Sequence, residues 1–184
     1  MDRFSFVMVL LSIIVGLGVT ELLTNLARQI QNRATIKHYW IHTLLSLMVF
    51  LALLQQWWES WDQRFVESWS FPILLLMLGG PIGLYITSHL LFPKDLEGAD
   101  LKALYYRSHR VLYAIGVVTV AFATIYRPLS FGDGLIDADN ASSVLIALAF
   151  LTLAISKKPV VHHTIVPVLC GAVVFDILFF HMSI

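Results

Sequence analysis

The feature that most constrains this chain is the apolar run at its beginning. Between Phe4 and Thr20 the only polar side chains are Ser5, Ser12 and Thr20, and Leu22 and Leu23 extend the run. A helix over 4–27, carried on to about residue 30, is long enough to cross a bilayer, which takes about 20 such residues. Towards its end Gly18, Glu21, Asn25, Arg28 and Asn32 recur at steps of three and four, so they share one helical face. A carboxylate at the depth of Glu21 is costly unless it faces protein or water. The rest of the chain is therefore expected to supply a wall and a partner for Glu21.

Five more apolar runs follow, over 39–58, 71–92, 104–126, 137–155 and 160–181. The polar connections between them are too short to hold a soluble domain. Of the 184 residues 58% are hydrophobic and 13% charged, with a mean hydropathy of +0.79; a soluble domain is about half apolar and a quarter charged. The expected fold is all-α, a single domain over residues 1–184 built as a bundle of six transmembrane helices. Arg3 and the run behind it imitate a signal peptide, but the run is too long and no small-residue cleavage site follows, so it is read as a retained span. With 12 basic and 12 acidic residues there is no basic excess for nucleic acid. The lone Cys170 excludes an internal disulfide and a Cys-rich metal site, and reads as a small buried hydrophobe.

Six spans place alternate connections on alternate sides. Arg28, Arg33, Lys37, Lys94, Lys102, Arg107, Arg110, Lys157 and Lys158 then share one side; Arg3, Arg64 and Arg127 share the other. This nine-to-three bias marks the first side as cytoplasmic. Both termini are expected on the non-cytoplasmic side of the cell (inner) membrane, together with Glu59, Asp62, Glu67, Asp133, Asp137 and Asp139. The second span carries Trp40 at one end and Trp57, Trp58 and Trp61 at the other. Trp40 and Trp57 are about 25 Å apart along a helix rising ~1.5 Å per residue, a spacing suited to interfacial aromatic belts. Gln55 and Gln56, just below, are polar enough to pack inward.

Three stretches carry possible chemistry. In the third span Gly79, Gly80, Pro81 and Gly83 predict a hinge, either a packing kink or a short unwound stretch, because proline removes a helix donor and collides with the preceding turn. Such breaks line substrate paths in some transporters. At the cytoplasmic ends of helices one to four the topology gathers Glu21, Asn25, Arg28, His42, Tyr85, His89, Arg107, His109 and Arg110. In the sixth span Asp176 is the second carboxylate that a bilayer makes expensive, with His181 near the outer interface. Ser12, Gly16 and Thr20 form a small-residue face suited to close helix packing.

The leading functional reading is transport or a channel, with Glu21 and the His and Arg groups of helices two to four forming a cytoplasm-facing solute or ion site. A non-catalytic structural or regulatory subunit is the alternative. A haem- or quinone-binding redox protein is a third reading, in which His42 and His89 would be the haem ligands. No metal motif, nucleophile elbow or nucleotide loop is present in the sequence, so no catalytic residue, metal or cofactor is assigned and a non-enzymatic role is expected. The expected partners are the lipid bilayer and a homo-oligomer or membrane complex, not nucleic acid. The topology has a direct test: a C-terminal alkaline phosphatase fusion should be active and a C-terminal fluorescent-protein fusion dark, and the reverse result would overturn the orientation.

Overall fold

The computed structural model describes residues 3–66, 69–131 and 138–180, except the side chains at 131, 138–141 and 180. Glu67, Asp133, Asp137 and His181 lie outside the described residues, as does the side chain of Asp139. Among the described residues six α-helices follow one another: α1 Arg3–Gln31, α2 Trp40–Glu59, α3 Phe71–Leu90, α4 Leu101–Phe131, α5 Ala138–Ile155 and α6 Pro159–Phe180. A 3-10 helix over Ser60–Phe65 extends α2. Among the described residues five helical stretches are long and apolar enough to cross a membrane: Arg3–Gln31, Trp40–Phe65, Phe71–Leu90, Leu101–Ser130 and Pro159–Phe179; in α5 the apolar stretch Ser142–Ile155 is shorter. The described residues contain no strand, only an isolated bridge between Lys37 and Asp100.

Local chemistry sets several of the helix starts. Ser70 caps α3 by accepting from the Ile73 amide at 3.4 Å, with Pro72 in the first turn where its missing donor costs nothing. Asp100 caps α4 through the Ala103 amide at 2.9 Å. The turn before it needs a left-handed residue, and Gly98 supplies one at φ 68°.

The helices form a ring with one member outside it. α4 packs between α3 and α5, α6 packs on α2 and α5, and α2 meets α3. α1 braces α2 and α3 from outside. Its inward stripe is Val7, Leu11, Val15, Gly18, Leu22, Asn25 and Gln29, the spacing of a helix face. Gly18 admits the Leu53 side chain of α2, 3.0 Å from where a Cβ would lie. The Ser12–Gly16–Thr20 face does not pack within the chain: all three are exposed, and nothing lies within 4 Å of a Cβ at Gly16. The larger stripe beside it buries more surface. The ring's outer surface is apolar, with Val160, Phe71, Val168 and Leu145 each about 70% exposed, as a lipid-facing surface requires and a water-facing one avoids.

The glycine–proline stretch of α3 does not unwind. The helix is continuous through Pro81, and Thr87 Oγ1 donates back to the Gly83 carbonyl at 2.9 Å. The glycines instead act as contact points. A Cβ at Gly79 would run into the Phe122 ring of α4, and one at Gly83 into Thr119 of α4. At Gly80 it would stand 2.7 Å from Gln56 Oε1 of α2. Neighbouring helices thus fill the space that side chains would occupy, and that packing holds α3 together at its proline. Gly79→Ala should cost about 1–3 kcal/mol through overpacking and lower the thermal midpoint in detergent. Gly16→Ala should change stability by less than about 0.5 kcal/mol. Equal midpoints for the two variants would show that α3 and α4 are not in tight contact.

Candidate functional site

The α1–α2, α3–α4 and α5–α6 connections gather at one end of the bundle. The Lys37 amide donates to the Ala99 carbonyl at 2.9 Å, and the Leu101 amide to the Lys37 carbonyl at 3.1 Å. Tyr39 Oη reaches His163 Nε2 of α6 at 2.9 Å and Tyr106 Oη of α4 at 3.2 Å. Burial first, and the Tyr106 hydroxyl second, hold the Tyr39 phenol well above the ordinary tyrosine range. It therefore serves as a neutral hydroxyl.

The residues expected to form one polar site separate into distinct groups. Glu21 Oε1 lies 3.3 Å from His89 Nδ1 of α3 and accepts from Asn25 Nδ2 at 3.0 Å. Arg28 donates to Asn25 Oδ1 at 3.2 Å and to the Lys94 carbonyl at 2.8 Å. Glu21, Asn25, Arg28 and His89 thus form one chain between α1 and α3. Its α3 end is open, with the His89 and Glu21 side chains 63% and 32% exposed. His42 is buried elsewhere: its Nε2 donates to the Leu91 carbonyl at 2.8 Å and its ring stands edge-on to Phe92. His42 and His89 therefore serve separate contacts. Arg107 and Arg110 are exposed and make no ion pair with Glu21. Tyr85 is half-buried.

A denser polar cluster lies between α4 and α6. The His162 Nε2 faces the Ser156 carbonyl at 2.9 Å. A carbonyl only accepts, so Nε2 carries the proton and Nδ1 of the neutral ring is an acceptor. Tyr105 Oη, 2.8 Å from Nδ1, must then donate to it. Tyr113 Oη, 2.7 Å from Tyr105 Oη, donates in turn. The same argument makes His109 Nδ1 the donor to the Tyr106 carbonyl at 2.8 Å, and its Nε2 a buried acceptor with no hydrogen-bond partner. The His109 and His162 rings meet edge-to-face at 5.4 Å. Tyr105, Tyr113, His109 and His162 are each at most 2% exposed. The sequence offers a signal for this face in Tyr105, His109 and Tyr113, which recur every fourth residue. Their partner His162 comes from a helix with almost no polar pattern of its own.

Tyr113 also lines a chamber of about 240 Å³ inside the ring. All five ring helices contribute walls, among them Met48 and Ala52, Thr87, Thr119, Phe150 and Val173. At the end away from the histidines the walls become polar, with Gln55, Gln56 and Glu59. Gln55 Nε2 donates to Glu59 Oε1 at 2.8 Å and to Asp176 Oδ2 at 2.5 Å, so one amide bridges carboxylates of α2 and α6. Gln56 and Glu59 also line a second cavity of about 490 Å³, beside Asp62, Gln63, Gly80, Tyr126 and Arg127. There Tyr126 Oη donates to Gln63 Oε1. No family model matches the chain, and comparison with curated proteins and with solved structures finds no match. Function must therefore be argued from these groups.

The arrangement can enclose a small amphiphilic molecule: apolar walls for its body, amides and carboxylates for a polar or cationic head. Among the described residues no group of three His, Cys, Asp or Glu side chains could hold a metal ion. His162→Leu should be costly, because it strands the buried Tyr105 hydroxyl and the Ser156 carbonyl; losing such partners costs about 1–3 kcal/mol each. His163→Leu, at an exposed position, should cost much less. Thermal melting in detergent compares them, and equal losses would show that the buried chain does not hold α4 to α6.

Proposed function

We propose that this protein binds a small amphiphilic cation within its helical ring and carries it across the cell membrane. The observation that supports the reading is the internal chamber, apolar along its length and polar at one mouth, with Gln56 and Glu59 standing between it and the second cavity. The second cavity is lined by Glu59, Asp62 and Arg127, and Arg64 stands 3.9 Å from Asp62. The Glu59 carboxylate, which lines both cavities, is the group a cationic head would meet. On the topology expected from the basic residues this mouth faces outside, and the Glu21–His89 chain lies at the cytoplasmic end as the brace between α1 and α3.

Each named residue has a part in this reading. Gln56 and Glu59 meet the head of the solute at the mouth. Gln55 keeps the Glu59 and Asp176 carboxylates apart from each other's charge by donating to both. Gly80 keeps Gln56 in place, since any side chain there would meet its amide oxygen. Met48, Ala52 and Phe150 take the apolar body. Met48 adapts readily to different shapes.

Radiolabelled benzyltrimethylammonium tests the proposal, with purified protein in detergent for binding and in liposomes for uptake. Binding should saturate, and Glu59→Gln should weaken it about tenfold, the loss of ~1.4 kcal/mol. Ala52→Phe should fill the chamber and abolish uptake while the protein still melts cooperatively. Absence of saturable binding, or an Ala52→Phe variant that binds as the parent does, would overturn the reading and favour a structural subunit.

A further inference from the structure

We propose that Tyr113, Tyr105 and His162 form a proton path between the chamber and the α5–α6 connection. This rests on the chamber as the solute site and adds a second ion, a proton, which the protein conducts with or without solute. The starting point is that Tyr113 belongs to two structures at once. It lines the chamber, and its hydroxyl begins the hydrogen-bonded chain to Tyr105 and His162. The chain ends at the Ser156 carbonyl, in a half-exposed turn followed by exposed Lys157 and Lys158. Each joint is between 2.7 and 2.9 Å, the range of well-formed hydrogen bonds. The chain is unbroken from Tyr113 to the buried His162, and its last joint is to a carbonyl, which holds the Nε2–H but passes no proton on.

The donors also all point one way, and that direction follows from the carbonyl at the end. Tyr113 donates to Tyr105, Tyr105 to His162 Nδ1, and His162 Nε2–H to Ser156. A proton arriving from the chamber at Tyr113 Oη forms a new O–H bond. The proton that Tyr113 held passes to Tyr105, and the one that Tyr105 held passes to His162 Nδ1. The His162 ring, now protonated on both nitrogens, then turns from the Ser156 carbonyl towards the half-exposed turn and gives one proton to water there. One proton enters, one leaves, and the two hydroxyls and the ring reset by turning. Histidine suits the last position because it takes a proton on one nitrogen and releases one from the other.

The surroundings bear on the charge that passes. The His162 ring meets His109, Tyr106, Tyr105 and Tyr113 of α4 edge-on or tilted, and Tyr39, just before α2, stands against Tyr105. His163 and Lys158 are neighbours along the chain. No carboxylate is among these groups, so nothing traps a proton on His162. The unpartnered Nε2 of His109, its ring against that of His162, offers a lone pair beside the passing charge.

The test uses the full chain in liposomes with a trapped pH-sensitive dye and no solute. A potassium gradient with valinomycin sets the voltage. Parent protein should carry protons faster than protein-free vesicles, and Tyr105→Phe, which keeps the ring and removes the hydroxyl, should cut the flux at least tenfold. Tyr39→Phe, off the path, should leave it unchanged, which a merely structural role for these tyrosines would not predict. Should Tyr105→Phe fail to fold, Tyr113→Phe decides in its place. Flux equal to that of empty vesicles, or a Tyr105→Phe variant that conducts as the parent does, would overturn the proposal. Solute binding is read separately, so a failed path and a failed chamber give different results.

Discussion

Within an apolar bundle a hydroxyl or an imidazole has little water to replace a missing partner, so most buried polar side chains are met by another group of the chain. Much of this structure follows from that condition. Tyr105 cannot be buried unless something accepts its proton, and the acceptor comes from α6. The Ser156 carbonyl uses the second nitrogen of His162, whereas among the described residues the second nitrogen of His109 meets no hydrogen-bond partner. These needs fix the rotation of α4 and α6 relative to each other, which apolar packing alone leaves loosely defined. At the other end Gln55 does similar work between α2 and α6, where its amide meets two carboxylates.

Close contact supplies what polar contact does not. Two apolar helices in lipid gain little from hiding leucine against leucine, since lipid is as apolar as leucine. Approach distance matters more, and the glycines of α3 set it. The Phe122 ring, Thr119 and Gln56 occupy the places their side chains would take. The proline among them leaves the helix unbroken because its neighbours hold the turn on both sides. The chamber lies beside this seam, with Gly116 and Thr119 of α4 and Ala52 of α2 among its walls.

Helix number and approximate extent were legible in the sequence because bilayer thickness imposes a length on any apolar helix. The runs at 39–58 and 71–92 match α2 and α3 to within two residues, whereas α4 starts three residues earlier than its apolar run and continues past it. Rotation was much less legible. Glu21 could be placed near the edge of a span, but not opposite His89 rather than Arg107. Ser12, Gly16 and Thr20 met the rule for close packing, yet the wider stripe beside them faces the protein. The chamber was hidden because residues from five helices define it, and no spacing within one helix records that. Asp176 was visible as an expensive carboxylate; its partner Gln55 was visible only as a polar residue that could turn inward. The 3-10 turn at Ser60–Phe65 left no apolar period to detect.

The bridge at Lys37 has a further consequence. Both of its hydrogen bonds use backbone groups, so the clasp between the α1–α2 and α3–α4 connections depends on no side chain. Substitution can alter the charge and bulk of much of these turns without undoing it, save for a proline at position 37 or 101, which would remove a donor, and a side chain at Gly98, whose φ of 68° disfavours one. The surface at this end can therefore diverge in sequence, and change what it meets outside the membrane, while the two hairpins beneath stay in register.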